Sequence, residues 1–290
     1  MMDRFLEVRV LTMRELKKWY RSPFLLVFTL VQPVLWMGLF GKAFNLTGLL
    51  SIPDDVLNQL PPAATSQIAE VFNRVLTRFF GTADLDYFSF ISVGMLSITV
   101  LFTSMSSGMG IAWDRRLGYL NKLLAAPIWR GSIIMSKVLA TVVRSVIQAS
   151  LLLMIALALG ARFNPWLPLG PVIAIATLCI LATGLSSFSI AIGLRLKSWE
   201  SQAALMNLLN LPLMFASNAL YPVSIMPSWL QAIALANPIS YAVDAVRQTI
   251  LLGPAASPAT LITDLAAVAL FAAAFTGLGT YLAGSALQKT

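Results

Sequence analysis

The amino-acid sequence reads as an all-α polytopic membrane protein with six transmembrane helices. Hydrophobic residues make up 58% of the 290-residue chain and charged residues only 11%, which is more apolar surface than a water-soluble domain can bury. The apolar residues gather in runs of bilayer-spanning length, about 20 residues each. Lysines and arginines fall mostly on one set of the intervening segments, as the positive-inside bias requires. That bias explains the formal charge of +8 without a nucleic-acid partner.

The chain begins with an N-terminal amphipathic interfacial helix, residues 1–22. Arg4, Arg9, Arg14, Lys17, Lys18 and Arg21 interleave with Phe5, Leu6, Val10, Met13, Trp19 and Tyr20. Such a helix lies along a membrane surface with aromatics at headgroup depth and amines toward anionic lipid. The run that follows has full spanning length and no small-residue cleavage site, so the segment is expected to be retained. Ser22-Pro23 turns the chain into the membrane, and spans are expected at 24–44, 88–112, 139–160, 171–193, 203–222 and 262–286. The whole of 1–290 is then one transmembrane domain.

Fourteen positive residues lie in 1–21, 113–137, 194–202 and at Lys289, against four on the other side: Arg74, Arg78, Arg162 and Arg247. Both termini are therefore expected in the cytoplasm, and the natural setting is the plasma membrane of a bacterium or archaeon. The external segments, 45–87 and 223–261, are too long to be simple turns. Within 64–80, Ile68, Phe72, Val75 and Phe79 recur at helical spacing, with Glu70, Arg74 and Arg78 on another face. Residues 227–252 read as two short helices broken at Asn237-Pro238, Pro227 opening the first. The second places Ile239, Val243, Val246 and Ile250 on one side, Asp244 and Gln248 on another.

The segment 113–137, WDRRLGYLNKLLAAPIWRGSIIMSK, is the most informative. Asp114 suits a helix start, and Pro127 ends the helix. Leu117, Leu120, Leu123 and Leu124 form a narrow apolar stripe, with Arg115, Arg116 and Lys122 off it. A helix of about ten residues is unstable alone in water and needs a surface to dock on, either membrane or protein. We expect it to run on continuously into the spans on either side.

With WDRRLGYLNKLLAAPIWR at 113–130, NPISYAVDAVRQTILLG at 237–253, MPSWL before it and LKKWYRSP at 16–23, the chain resembles the type-2 ABC exporter permeases, near the daunorubicin-resistance and nodulation-export branch. The resemblance covers essentially the whole chain in the order of six spans. It implies that 114–124, within a coupling region at 113–130, sits in a cleft of a separate ATPase subunit. Asp114, Arg115, Arg116, Leu117, Gly118, Tyr119, Leu120, Lys122, Leu123 and Leu124 would then carry the contact. It also implies a dimer of permeases, most simply a homodimer, whose first and fifth spans meet, and outward transport. Relatives often carry an acidic residue where Arg116 stands. The chain contains no G-x-x-x-x-G-K-[ST] phosphate loop, so MgATP belongs to the partner and no cofactor is expected here.

Polar residues within the spans form stripes. Thr99, Thr103, Ser107 and Gly110 share a face of the second span; Asn207, Asn210, Ser217 and Asn218 share one of the fifth, near Pro212; Gln32 and Thr29 flank Pro33 in the first. These faces would line a path for an amphiphile such as a drug, a lipid or a lipid-linked glycan, or would serve as glue between helices. Arg144, one to two turns inside the third span, is expected to snorkel toward the cytoplasmic headgroups, and Lys42 and Asp264 sit at the outer edge without a special role. A secondary transporter or channel is the alternative. It is disfavoured because the twelve carboxylates fall in tails, loops or span edges. With no histidine in the chain and no paired intramembrane aspartates, an intramembrane protease is the least favoured class.

Overall fold

A backbone in hydrocarbon must satisfy its own hydrogen bonds, and a chain of long apolar runs does so as helices. The computed structural model describes residues 4–43, 86–165, 168–196 and 198–287, with isolated positions between 61 and 77. Among the described residues every regular element is helical. In chain order they are α1 (Arg4–Tyr20), α2 (Pro23–Trp36, prolonged by a π-helical stretch Met37–Ala43), α3 (Tyr87–Met105), α4 (Ser107–Arg116), α5 (Tyr119–Ala125), α6 (Arg130–Ala158), α7 (Gly170–Arg195), α8 (Trp199–Phe215), α9 (Ser228–Ala236), α10 (Pro238–Ile250) and α11 (Pro258–Leu287).

Among the described residues, four stretches are long and apolar enough to cross a membrane: Tyr87–Arg116, Arg130–Ala158, Gly170–Arg195 and Pro258–Leu282. They correspond to the expected second, third, fourth and last spans. The other two are shorter: the apolar part of α2 with its π extension covers Val27–Lys42, and α8 has 17 residues. The helix expected to run to 222 stops at Phe215, three residues after Pro212, so Ser217 and Asn218 fall in the turns beyond it. Of the helix expected over 64–80, Ile68, Phe72, Val75, Phe79 and Arg78 lie outside the described residues. Glu70 and Arg74 are helical there, and their side chains pair at 2.7 Å in solvent.

The second span is the centre of the bundle. Ile91, Val93, Met95, Ile98 and Leu101 of α3 are buried against α6, α7 and α10. Ile239, Val243, Val246 and Ile250 of α10 join the same core. The break between α9 and α10 falls where proline placed it. Asn237 Oδ1 accepts from the Ile239 N–H at 3.0 Å, and its Nδ2 donates to the carbonyls of Leu213 and Ala216 at 2.7 and 2.8 Å. Pro227 stands just before α9, at its N-cap.

α1 packs on α6 with its acidic side inward. Glu7 is buried and its Oε2 accepts from the Trp129 N–H at 3.0 Å and the Ser132 hydroxyl at 2.7 Å, capping the start of α6. Phe5, Leu6, Val10, Met13 and Tyr20 remain exposed, an outward apolar surface suited to a lipid interface. Replacing Glu7 by alanine should cost about 1–2 kcal/mol, the range of a lost helix cap, read as a lower thermal unfolding midpoint in nanodiscs.

Candidate coupling site and polar cavity

The segment 113–130 is not one rod: residues 113–116 end the stretch Tyr87–Arg116, and the rest is broken before and after α5. α4 ends at Arg116, Leu117 and Gly118 form a corner, and α5 restarts at Tyr119. Gly118 has φ +68°, a left-handed conformation that a side chain resists, so glycine makes the corner possible. A second break at residues 126–129 separates α5 from α6. α5 thus meets the spans through side-chain contacts rather than as part of an unbroken helix.

The leucine stripe also points the other way from the expected docking face. Leu120 is 3% exposed and packs with Ile111, Ile133, Ile134, Ile190 and Leu194, while Leu123, Leu124 and Ile128 pack against that cluster. The surface that this short helix needs is supplied by its own chain. Leu117, at 73% exposure, faces outward with Arg116, Asn121 and Lys122.

Asp114 does not cap α5. It is buried at the end of α4, where its Oδ2 accepts from Lys137 Nζ of α6 at 2.6 Å and its Oδ1 from Lys18 Nζ of α1 at 3.1 Å. Lys137 also pairs with Glu15 of α1 at 3.3 Å, and Arg14 pairs with Glu15 at 3.0 Å. The Arg14 guanidinium lies 3.4 Å from the centre of the Tyr119 ring, a cation–π contact. One buried network therefore joins α1, the root of the coupling segment and α6. Arg115 turns inward too, donating to the carbonyls of Leu194 and Leu196 at 2.6 and 2.7 Å, where a cation complements the end of α7. Arg116 stays exposed, 5.6 Å from the ring of Trp113, which stacks on Trp199.

Three of the pathway residues read from the sequence do come together. Gln32 of α2 and Thr99 and Thr103 of α3 line a cavity of about 150 Å³, joined by Thr29, Arg144, Gln148 and Trp19. Gln148 organises it: its Nε2 donates to Thr29 at 2.7 Å and its Oε1 accepts from Thr103. Arg144 bends back along α6, its Nε donating to the Ala140 carbonyl and its Nη2 to Thr141, both at 3.2 Å. That is the direction expected for snorkelling, and the cavity wall is its destination. Gln148 went unread in the sequence, although one amide in a long apolar helix is a costly residue.

The remaining pathway residues disperse. Ser107, beyond the helix break at Ser106, donates to the carbonyls of Ser104 and Ser186 and packs α4 on α7. Asn207 is exposed on α8 while Asn210 is buried, so they do not share an environment. Ser217 is spent on the Met214 carbonyl and the Ala219 N–H. Asn218 lines a different cavity at the far end of the bundle. The glue reading holds for Ser107, and the second stripe dissolves because α8 ends before its last two members.

The model of the ABC-2 type transporter family matches residues 6–251. The chain is 31% identical over 242 residues to the ycf38 transport permease of Cyanophora paradoxa, covering 83% of this chain and 73% of the relative. It is 28% identical over 182 residues to a daunorubicin resistance ABC transporter permease protein of Streptomyces coeruleorubidus, covering 61% of this chain and 64% of that one. A multidrug ABC transporter permease of Escherichia coli K12 shares 26% identity over 180 residues, 61% of this chain and 47% of the relative. The inward-turned α5, its ion network and the helical bundle around them are thus the fold of a chain that belongs to the ABC-2 type transporter family of membrane permeases.

Proposed function

We propose that this chain is the permease subunit of an ATP-driven exporter. It crosses the membrane six times with both termini in the cytoplasm, in the plasma membrane of a bacterium or archaeon. It works as a dimer, most simply a homodimer, with two separate ATPase subunits that bind and hydrolyse MgATP. The observation that carries this reading is the corner Arg116-Leu117-Gly118, where Arg116, Leu117 and the nearby Lys122 are exposed while Leu120 and the Asp114–Lys137 pair are buried behind them. A solvent-facing leucine of 73% exposure beside two cations is a surface suited to a partner cleft.

In this mechanism the ATPase pushes on α5. The displacement passes through Leu120 to α6 and α7, and through Asp114 to α1 and Lys137. The cavity lined by Gln32, Thr99, Thr103 and Gln148 lies directly along α6 from that junction. Its hydroxyls and amides suit the polar head of an amphiphile, a drug, lipid or lipid-linked glycan, while its apolar surroundings suit the tail. Exposed Phe24, Phe28, Val31 and Leu35 on α2 and Leu208, Leu211 and Phe215 on α8 are surfaces for lipid or a second copy.

The test is chemical crosslinking in native membranes, gentle solubilisation of the tagged chain and mass spectrometry of what co-purifies. Recovery of a soluble protein with phosphate-loop motifs is expected, and its loss when Leu117 and Lys122 are both replaced by glutamate. If crosslinking before extraction captures no such protein, the exporter reading fails.

A further inference from the structure

At the end of the bundle opposite α1, a cavity of about 360 Å³ opens between α9, α10, the start of α11 and the turn after α8. Tyr241 donates to the Leu235 carbonyl and Gln248 accepts from the Ser257 N–H, and the other polar side chains lining the cavity are Asn218, Ser240, Asp244, Arg247 and Asp264. Four of these are more than nine-tenths buried: Asn218 is 8% exposed, Ser240 6%, Arg247 4% and Asp264 4%. Asn218 Oδ1, Ser240 Oγ, Asp264 Oδ2 and Arg247 Nε each lack a hydrogen-bond partner. A buried polar group without a partner is expensive, and native proteins keep few of them. Four around one cavity mark a place where something else completes the bonds.

We propose that this cavity binds an alkylammonium group. Asn218 Oδ1 and Asp264 Oδ2 accept, the Ser240 hydroxyl can accept as well as donate, and Arg247 Nε donates, so a ligand that chiefly donates satisfies most of them. Two carboxylates and one guanidinium line the cavity, a formal charge of −1 that a cation would neutralise. The arginine is already engaged: its Nη2 donates to the carbonyls of Ala219 and Phe90 at 3.2 and 3.4 Å, and it lies 3.5 Å from the centre of the Phe90 ring. An ammonium carries three N–H donors and no acceptor, which matches the three oxygens. An anion would face the open carboxylate oxygen of Asp264. A calcium ion takes six to eight oxygens at about 2.3–2.6 Å and a magnesium ion six at about 2.0–2.1 Å, whereas this space is large and partly walled by Pro222, Leu235 and Leu252. Those walls suit the carbon chain of an amine. The assignment stands independently of the exporter reading, since it rests on groups far from the coupling segment.

The amine has two possible sources, the headgroup of an aminophospholipid or a free amine, and one experiment separates them. The full chain is placed in nanodiscs of phosphatidylcholine alone, whose headgroup has no N–H, and titrated with hexylammonium or with hexanol. Hexylammonium should raise the unfolding temperature saturably and hexanol should not. Asp264→Asn, which keeps the side-chain shape, should weaken the apparent affinity roughly tenfold or more, the effect of a lost charged hydrogen bond. Should that variant fold poorly, Ser240→Leu fills the cavity from another helix and should abolish the response. Repeating the titration in nanodiscs containing phosphatidylethanolamine identifies the source. A response lost there means that the lipid headgroup already holds the site, and an unchanged response means that a free amine is the occupant. No saturable stabilisation in phosphatidylcholine, equal stabilisation by hexanol, or a response indifferent to both variants would overturn the proposal.

Discussion

Replacing Asp114 by leucine lowers the stability of this permease by about 3–5 kcal/mol, the range for removing one partner of a buried ion pair. Replacing Lys137 by methionine costs about 1–2 kcal/mol, ordinary for a buried change that strands no charge. The asymmetry comes from the census of the network, in which Arg14, Lys18 and Lys137 share Asp114 and Glu15. Without Lys137 two cations still face two carboxylates, and Arg14 and Lys18 reach water, with side chains 30% and 47% exposed. Without Asp114 three cations share one carboxylate, and the Lys137 side chain, 6% exposed, has no solvent to turn to. The double variant should therefore recover part of the loss, since the stranded ammonium has been removed. Thermal unfolding of the two single variants and the double, closed as a mutant cycle, checks this. Equal losses for Asp114→Leu and Lys137→Met would mean that the remaining cations and carboxylates compensate either removal alike, and the asymmetry argument fails.

That network was invisible in the sequence for a physical reason. Asp114 and Lys137 are 23 residues apart on different helices, and Glu15 and Lys137 are 122 apart, so no periodicity links them. Composition and run length were enough for the four long helices, because a stretch such as Gly170–Arg195 has few ways to hide its backbone. The face arithmetic worked where a helix was unbroken, as for Thr99 and Thr103. It failed for Ser217 and Asn218 because α8 stops at Phe215. Asp264 passed for a span-edge residue by hydropathy, and α9 and α10 then folded over it. Periodicity grouped Leu120, Leu123 and Leu124 correctly but wrongly added Leu117, which lies exposed in the corner before α5, and it carried no information on which neighbour that face would meet.

The direction of that face separates two leucines three residues apart. Leu120→Glu forces a carboxylate among Ile111, Ile133, Ile134, Ile190 and Leu194, where no cation is in place to receive it. The expected loss exceeds about 4 kcal/mol, the range reserved for burying an unpaired charge, and the unfolding midpoint should collapse before any partner is added. Leu117→Glu, at a position 73% exposed, should stay within about 0.5 kcal/mol of the parent, as surface substitutions do. Yet this silent change is the one expected to release the proposed ATPase partner, because Leu117 stands on the outward corner with Arg116 and Lys122. Measuring unfolding and partner recovery on both variants tells the two faces apart. If instead Leu120→Glu leaves the midpoint unchanged and releases the partner, the leucine stripe docks outward and α5 rotates on binding. Coupling would then run through that rotation, and the Gly118 corner would be its hinge.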